Sequence, residues 1–335
     1  MPSKTKNLLM RALKTLVFPV CVCLFFAIAT GGRLFTSRSV LVILRQSVLP
    51  AIVIMAMMPN LTLGLMDFSI GAVVIASAII GGNLMNMTQT GIPGLLVFSV
   101  LSGVILTSFT GFLNNKLRVP ILVIALGLML VYEALPKLLF PGNDGGAIIK
   151  VKYAMLAQQP YIFIVFAVAF AVFYILVNKT IYGHNIRALG GNDELARRAG
   201  LNVDKIKQIC FTTSGFFAGI AGALYMASNG QVNSPSAFSS MTTVMDAFLG
   251  LFLGIFLSRF CNVAIGLVIA VVTMTTMSNG LVTMGLDATY RDIVKSIVLF
   301  FLLAFSGNQP YFVKWRANKK RGAAADREYQ KQLSA

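Results

Sequence analysis

The chain has 335 residues, of which 57% are hydrophobic types and only 12% are charged, against about 25% charged in an ordinary soluble domain. This excludes a soluble fold, a disordered chain and a small disulfide-stapled domain, because even a folded protein must present a large outer surface to water. The formal net charge is nonetheless +17, which fits either a nucleic-acid binder or a membrane protein with its basic residues gathered on one side.

In chain order, near-uncharged apolar runs of bilayer-crossing length occur at 13–29, 40–58, 68–84, 94–113, 120–139, 160–177, 208–226, 241–257, 262–277 and 293–305. They predict an all-α polytopic membrane protein of about ten transmembrane helices, forming one domain over 1–335. With the N-terminus inside, the inward connections hold 20 of the 28 Lys and Arg and the outward ones 6. This positive-inside distribution places both termini in the cytoplasm and removes the nucleic-acid reading. The basic stretch before the first run is followed at 27–30 by only a weak cleavage cue, so that run reads as a retained helix. The tail at 307–335 is basic and reads as cytoplasmic.

The residues offer little to catalysis. Cys21, Cys23, Cys210 and Cys261 lie in or beside apolar runs without metal-type spacing and read as packing. His184 is the only histidine, too little for His-based chemistry or a His-rich metal site. There is no Gly-rich phosphate-cradling string ending in Lys, and no nucleophile–base pair stands out. A channel or transport subunit is favoured over an enzyme.

Acidic residues inside apolar segments are costly, and each is a functional candidate. Asp67, Glu133, Asp246, Asp287 and Asp292 lie in or at the edges of such segments. Before Asp67, Pro59 and Gly64 are placed to break a helix, and Asp67 or Ser69 to cap its restart. Direct contact with a solute is the second reading of Asp67. The string Met66-Asp67-Phe68-Ser69-Ile70-Gly71 is echoed by Met245-Asp246-Ala247-Phe248-Leu249-Gly250 five runs later. An odd offset reverses direction across the membrane, so the echo predicts a five-plus-five inverted repeat with broken helices, Asp67 and Asp246 being equivalent supports. Asn60, Thr62, Ser69, Asn83, Asn86, Thr273, Thr276 and Asn279 are polar groups that either line a path or join helices.

The inward connection 178–207 is the most ordered in its chemistry. It contains Gly190-Gly191-Asn192-Asp193-Glu194-Leu195-Ala196-Arg197-Arg198-Ala199-Gly200. Asn192 is a good N-cap. Asp193 and Glu194 in the first turn and Arg197 and Arg198 in the last suit the helix dipole, and Gly200 fits a left-handed stop. So short a helix is marginal alone, which predicts that it docks on something.

This string resembles the inward loop of ABC-importer permeases of the ribose and related monosaccharide type, through Gly190, Gly191, Asn192, Arg197, Gly200, Val203 and Lys207. The similarity continues at 214–222, at 64–71 and at Arg118-Val119-Pro120. The resemblance implies a permease subunit of a binding-protein-dependent importer in a bacterial inner membrane. It implies a cytoplasmic ABC ATPase that carries the ATP and Mg, no cofactor in this chain, a second permease subunit and an extracytoplasmic solute-binding protein. Gly190, Gly191, Asn192, Asp193, Glu194, Arg197, Arg198 and Gly200 would then form the ATPase-coupling element. Asn60, Asp67, Ser69, Asp246 and Asn279 are the candidates for the pathway or the helix break. The chain departs from the family at 253–262, where Phe256 and other bulky residues stand in place of glycines and Gly254 remains. That departure leaves a divergent heterodimer or a homodimer with altered solute choice. A pentose, a hexose, a furanose signal, a nucleoside and a polyol all remain open as solutes. The alternative function is an ion-coupled secondary transporter working through Asp67 and Glu133.

Overall fold

A computed structural model of the chain describes residues 2–304, apart from 118, 191, 192, 288, 299, 302 and 303. It is an all-α bundle. Its helices are α1 (Pro2–Ala29), α2 (Ser37–Thr62), α3 (Ile70–Thr88), α4 (Gly91–Leu117), α5 (Ile121–Leu139), α6 (Tyr161–Lys179), α7 (Ile181–Leu189), α8 (Asp193–Arg198), α9 (Val203–Asn229), α10 (Met241–Leu257) and α11 (Val263–Thr283). A further helical stretch at 289–298 is named α12. Two-residue strands β1 (Ala147–Ile148) and β2 (Gln231–Val232) pair antiparallel. We call the end of the bundle that carries them the hairpin end, and the opposite end, carrying α7 and α8, the loop end.

Each of the ten apolar runs falls on helix, although α12 reaches only 298 before the first undescribed position of the tenth run. Among the described residues, α2, α3, α4, α5, α6, α9 and α11 are long and apolar enough to cross a membrane. The apolar part of α1, Thr15–Ala29, and α10 are shorter. Pro59 does not end α2 as the sequence predicts. The helix passes through it to Thr62 and stops where Gly64 takes φ +73°. A proline removes only its own N–H from the ladder, whereas a left-handed residue turns the chain out of the helix.

The bundle is built round α9, whose 27 residues span about 40 Å. Small residues let it approach its neighbours closely. A Cβ on Gly103 of α4 would lie 2.6 Å from the Gly215 carbonyl oxygen and 2.9 Å from the Gly219 Cα, so the two backbones touch where any side chain would part them. Phe211, Phe217, Leu224 and Met226 of α9 are fully buried in the main core, which takes in α2 to α6. A second cluster joins Phe26 of α1 to Leu253 and Leu257 of α10 and to Met274, Met277 and Leu281 of α11. At the hairpin end, the Asn83 and Asn86 amides of α3 donate to the carbonyls of Gly146 and Ile148. These two candidate polar groups therefore anchor the β1 loop.

Candidate functional site

Local chemistry shapes the ends of the loop-end helices. α8 closes with a hydrogen bond from the Gly200 amide to the Arg197 carbonyl, 3.0 Å, and one from the Leu201 amide to the Ala196 carbonyl, 3.1 Å. With Gly200 at φ +84°, this is the two-bond stop that a left-handed glycine allows. Glu194 accepts from Arg198 at 2.6 Å and Asp204 from Arg197 at 2.8 Å, both pairs being well exposed. Each contributes no more than about 1 kcal/mol. The Asn202 side chain then caps α9 by accepting from the Lys205 amide. Gly191 and Asn192 lie outside the described residues, as does the side chain of Asp193.

Apolar burial does more than these ion pairs to seat the loop. Ile186 and Leu189 of α7, Ala196 of α8, and Val203, Ile206 and Cys210 of α9 bury together with Leu63, just beyond α2. Gly190 lies so close to the Thr62 carbonyl that a Cβ there would clash. The loop thus rests directly on the junction between α2 and α3.

At that junction the Asp67 carboxylate accepts from the Ser69 amide at 2.9 Å and from the Ser69 hydroxyl at 2.6 Å, and both residues are buried. The start of α10 repeats this arrangement. Glu133, reaching from α5, accepts from the Ser240 amide at 2.9 Å, the Ser240 hydroxyl at 2.6 Å and the Phe238 amide at 3.0 Å. The two helix starts abut, since a Cβ on Gly71 would lie 2.5 Å from the Ser240 carbonyl oxygen. A carboxylate at each start answers both the free amides and the positive end of the helix dipole. The pairing predicted from sequence, Asp67 with Asp246, is therefore corrected. Asp246 lies within α10, past its N-cap Ser240, and the carboxylate equivalent to Asp67 is Glu133. Its signal is 107 residues away from Ser240, beyond the reach of any local motif. Asn60 is buried beside the break, and both its amide atoms lack a hydrogen-bond partner, as does Asp67 Oδ2.

Asp246 belongs to a different feature. A cavity of about 320 Å³ opens between α2, α10, α11 and α12. Its polar lining includes Gln46, Asp246, Thr275, Ser278, Asn279, Arg291 and Lys295. Asn279 donates to Gln46 at 2.7 Å, joining α11 to α2. Lys295, 7% exposed, donates to Asp246 at 2.7 Å and to Asp292 at 2.8 Å, whose side chains are 63% and 65% exposed. Asp246 also lines a neighbouring cavity with Thr242 and Thr243. Those threonines line a third with Gln231, Asn233 and Ser234. Thr242 and Thr243 thus face both the cavity beside Asp246 and the one toward the hairpin end.

Of the predicted pathway candidates, the structure brings Asp246 and Asn279 to this cavity and leaves Asn60, Asp67 and Ser69 at the helix break. Thr273 and Thr276 donate to carbonyls one turn back in α11. Sequence reading missed Gln46, Thr242, Thr243 and Lys295. The one legible signal was a lysine within the last apolar run, three residues after Asp292. No group of three or more His, Cys, Asp or Glu gathers to hold a metal among the described residues.

Residues 40–303 match the family described as branched-chain amino acid transport system / permease component. The chain belongs to this permease family. Its relatives carry the same kind of name. It is 26% identical to the L-arabinose ABC transporter permease protein AraH of Azospirillum brasilense, over 85% of this chain and 83% of that one. It is 26% identical to the autoinducer 2 import system permease protein LsrC of Yersinia pestis, over 84% and 78%. To the LsrC of Photorhabdus luminescens it is 27% identical, over 84% and 83%. No solved structure matches the chain significantly. The permease is thus a multi-pass membrane protein of a transport family.

Proposed function

We propose that this permease is the membrane-spanning subunit of a binding-protein-dependent importer in a bacterial inner membrane. It carries a small polar solute, a monosaccharide or sugar-like molecule. The observation that carries the reading is the seating of the capped α8 loop on the α2–α3 junction, which joins the loop end to the membrane helices. A cytoplasmic ABC ATPase, holding ATP and Mg, pushes on 190–200. The push reaches the abutting starts of α3 and α10, and the helices rock to alternate access. A second permease chain completes the path, and an extracytoplasmic binding protein delivers the solute at the hairpin end. Ten spans with both termini inside, related by a five-plus-five inverted repeat, agree with the charge distribution and with the two carboxylate-capped helix starts.

Capping accounts for Asp67 and Glu133 without ion coupling, so the secondary-transport alternative is not needed to explain them. The test is uptake of labelled L-arabinose and autoinducer 2 by cells expressing the permease with its ATPase and binding protein. Uptake of either solute should stop on ATP depletion and survive a protonophore while ATP is maintained. The reverse pattern would establish ion coupling. Copurification with a tagged copy of the permease distinguishes a homodimer from a pair with a second, different permease chain.

A further inference from the structure

We propose that the cavity between α2, α10, α11 and α12 is a hydrated station on the solute path that holds a neutral, polyhydroxylated molecule. The proposal rests on the permease reading above. Its first support is exposure. Asp246 is more than half exposed although it lies within the apolar helix α10, and an exposed carboxylate in such a segment requires water or polar partners rather than lipid. Other faces of the bundle are different. α4 exposes Leu101, Ile105 and Phe109, and α6 exposes Ile164 and Val168, as lipid contact demands.

The second support is the chemistry of the lining. Of the two carboxylates that Lys295 holds, Asp246 lines the cavity; the pair fixes its side chain and leaves its other oxygen to accept from a hydroxyl. Across the cavity the Gln46–Asn279 amide pair both donates and accepts. Lys295 and Arg291 in the lining are offset by Asp246 and by Asp292 behind Lys295, so a neutral solute enters a balanced site, whereas an anion would bring an unpaired charge. About 320 Å³ lies at the small end of ligand sites, which suits a single sugar ring. Lys295 here is a positioning residue, since it acts through Asp246.

The test uses the full-length permease in its assembled transporter, with the four native cysteines replaced by alanine. Ser278→Cys places a thiol in the cavity, and Ile105→Cys places one on the apolar α4 face. A charged, membrane-impermeant methanethiosulfonate should label Ser278→Cys at least about tenfold faster than Ile105→Cys. L-arabinose should slow the labelling of Ser278→Cys, and D-gluconate at equal concentration should not. Equal labelling at the two positions, or protection by gluconate or by neither compound, overturns the proposal. Asp246→Asn, which keeps the acceptor and removes the charge, should weaken the apparent affinity for uptake about tenfold; an unchanged affinity counts against the station. Loss of ATP-dependent uptake by the unaltered transporter would strike the permease reading. Slow labelling of Ser278→Cys in a transporter that does take up sugar strikes the cavity proposal alone.

Discussion

Glu133 is buried, and two main-chain amides and one hydroxyl at the start of α10 depend on it. Removing the carboxylate leaves those donors without an acceptor in a place water does not readily reach, which costs about 1–3 kcal/mol for each unsatisfied group. Glu133→Ala should therefore lower the thermal stability of the detergent-solubilised permease strongly. Glu133→Gln keeps one acceptor oxygen and should lose about half as much. The order is read from the two melting curves, and equal loss in both variants would mean that charge rather than hydrogen bonding holds the helix start. Asp67 performs the same task for α3 through a residue only two positions away. That local relation is why the sequence could propose a cap there but could not assign the acceptor at Ser240.

At the scale of elements, α8 is six residues long and too short to persist without its stop and its seat. Gly200 supplies the stop at a φ that a β-branched residue adopts only with strain. Gly200→Val should therefore disorder the turn and sharply reduce uptake while membrane insertion is unaffected. Insertion is read from the amount of permease in the membrane fraction, and full uptake would count against a docking role for the loop. Glu194→Lys removes the Arg198 pair and places a positive charge in the first turn, against the dipole. It should act in the same direction. The retained Gly254 has a comparable local reason, since a Cβ there would lie 2.6 Å from Leu267 Cδ2 and 3.0 Å from Leu267 Cα. The crossing of α10 and α11 has no room for a larger residue at this position.

Across the whole molecule, two of the four helices round the cavity reach contacts at the loop end. α2 carries Gln46 and runs to Thr62, where Gly190 touches it. α11 carries Asn279 and starts at Asn262, whose amide donates to Asn178 Oδ1 at 2.8 Å beyond the end of the apolar run of α6. Asn262 also caps α11 by accepting from the Ala264 amide. Asn178→Leu keeps that cap and cuts the tie between α6 and α11. It should reduce uptake several-fold while the assembled transporter is recovered in normal yield. Unchanged uptake would mean that α2 alone transmits the motion.

What the amino-acid sequence determined by itself was the part of the structure that acts over short separations or through bulk composition. Apolar runs placed the helices because a bilayer-spanning helix needs a contiguous stretch of apolar residues. The glycine and ordered charges of 193–200 specified a short loop helix with a left-handed stop. Tertiary structure alone decided which carboxylate meets which helix start, that Asp246 faces a cavity instead of supporting a break, and that Gln46, Asp246, Asn279 and Lys295 share one lining. Those residues come from four helices separated by up to 249 positions. Their proximity is set by the close packing of α10 and α11 against α2, and no spacing along the chain records it.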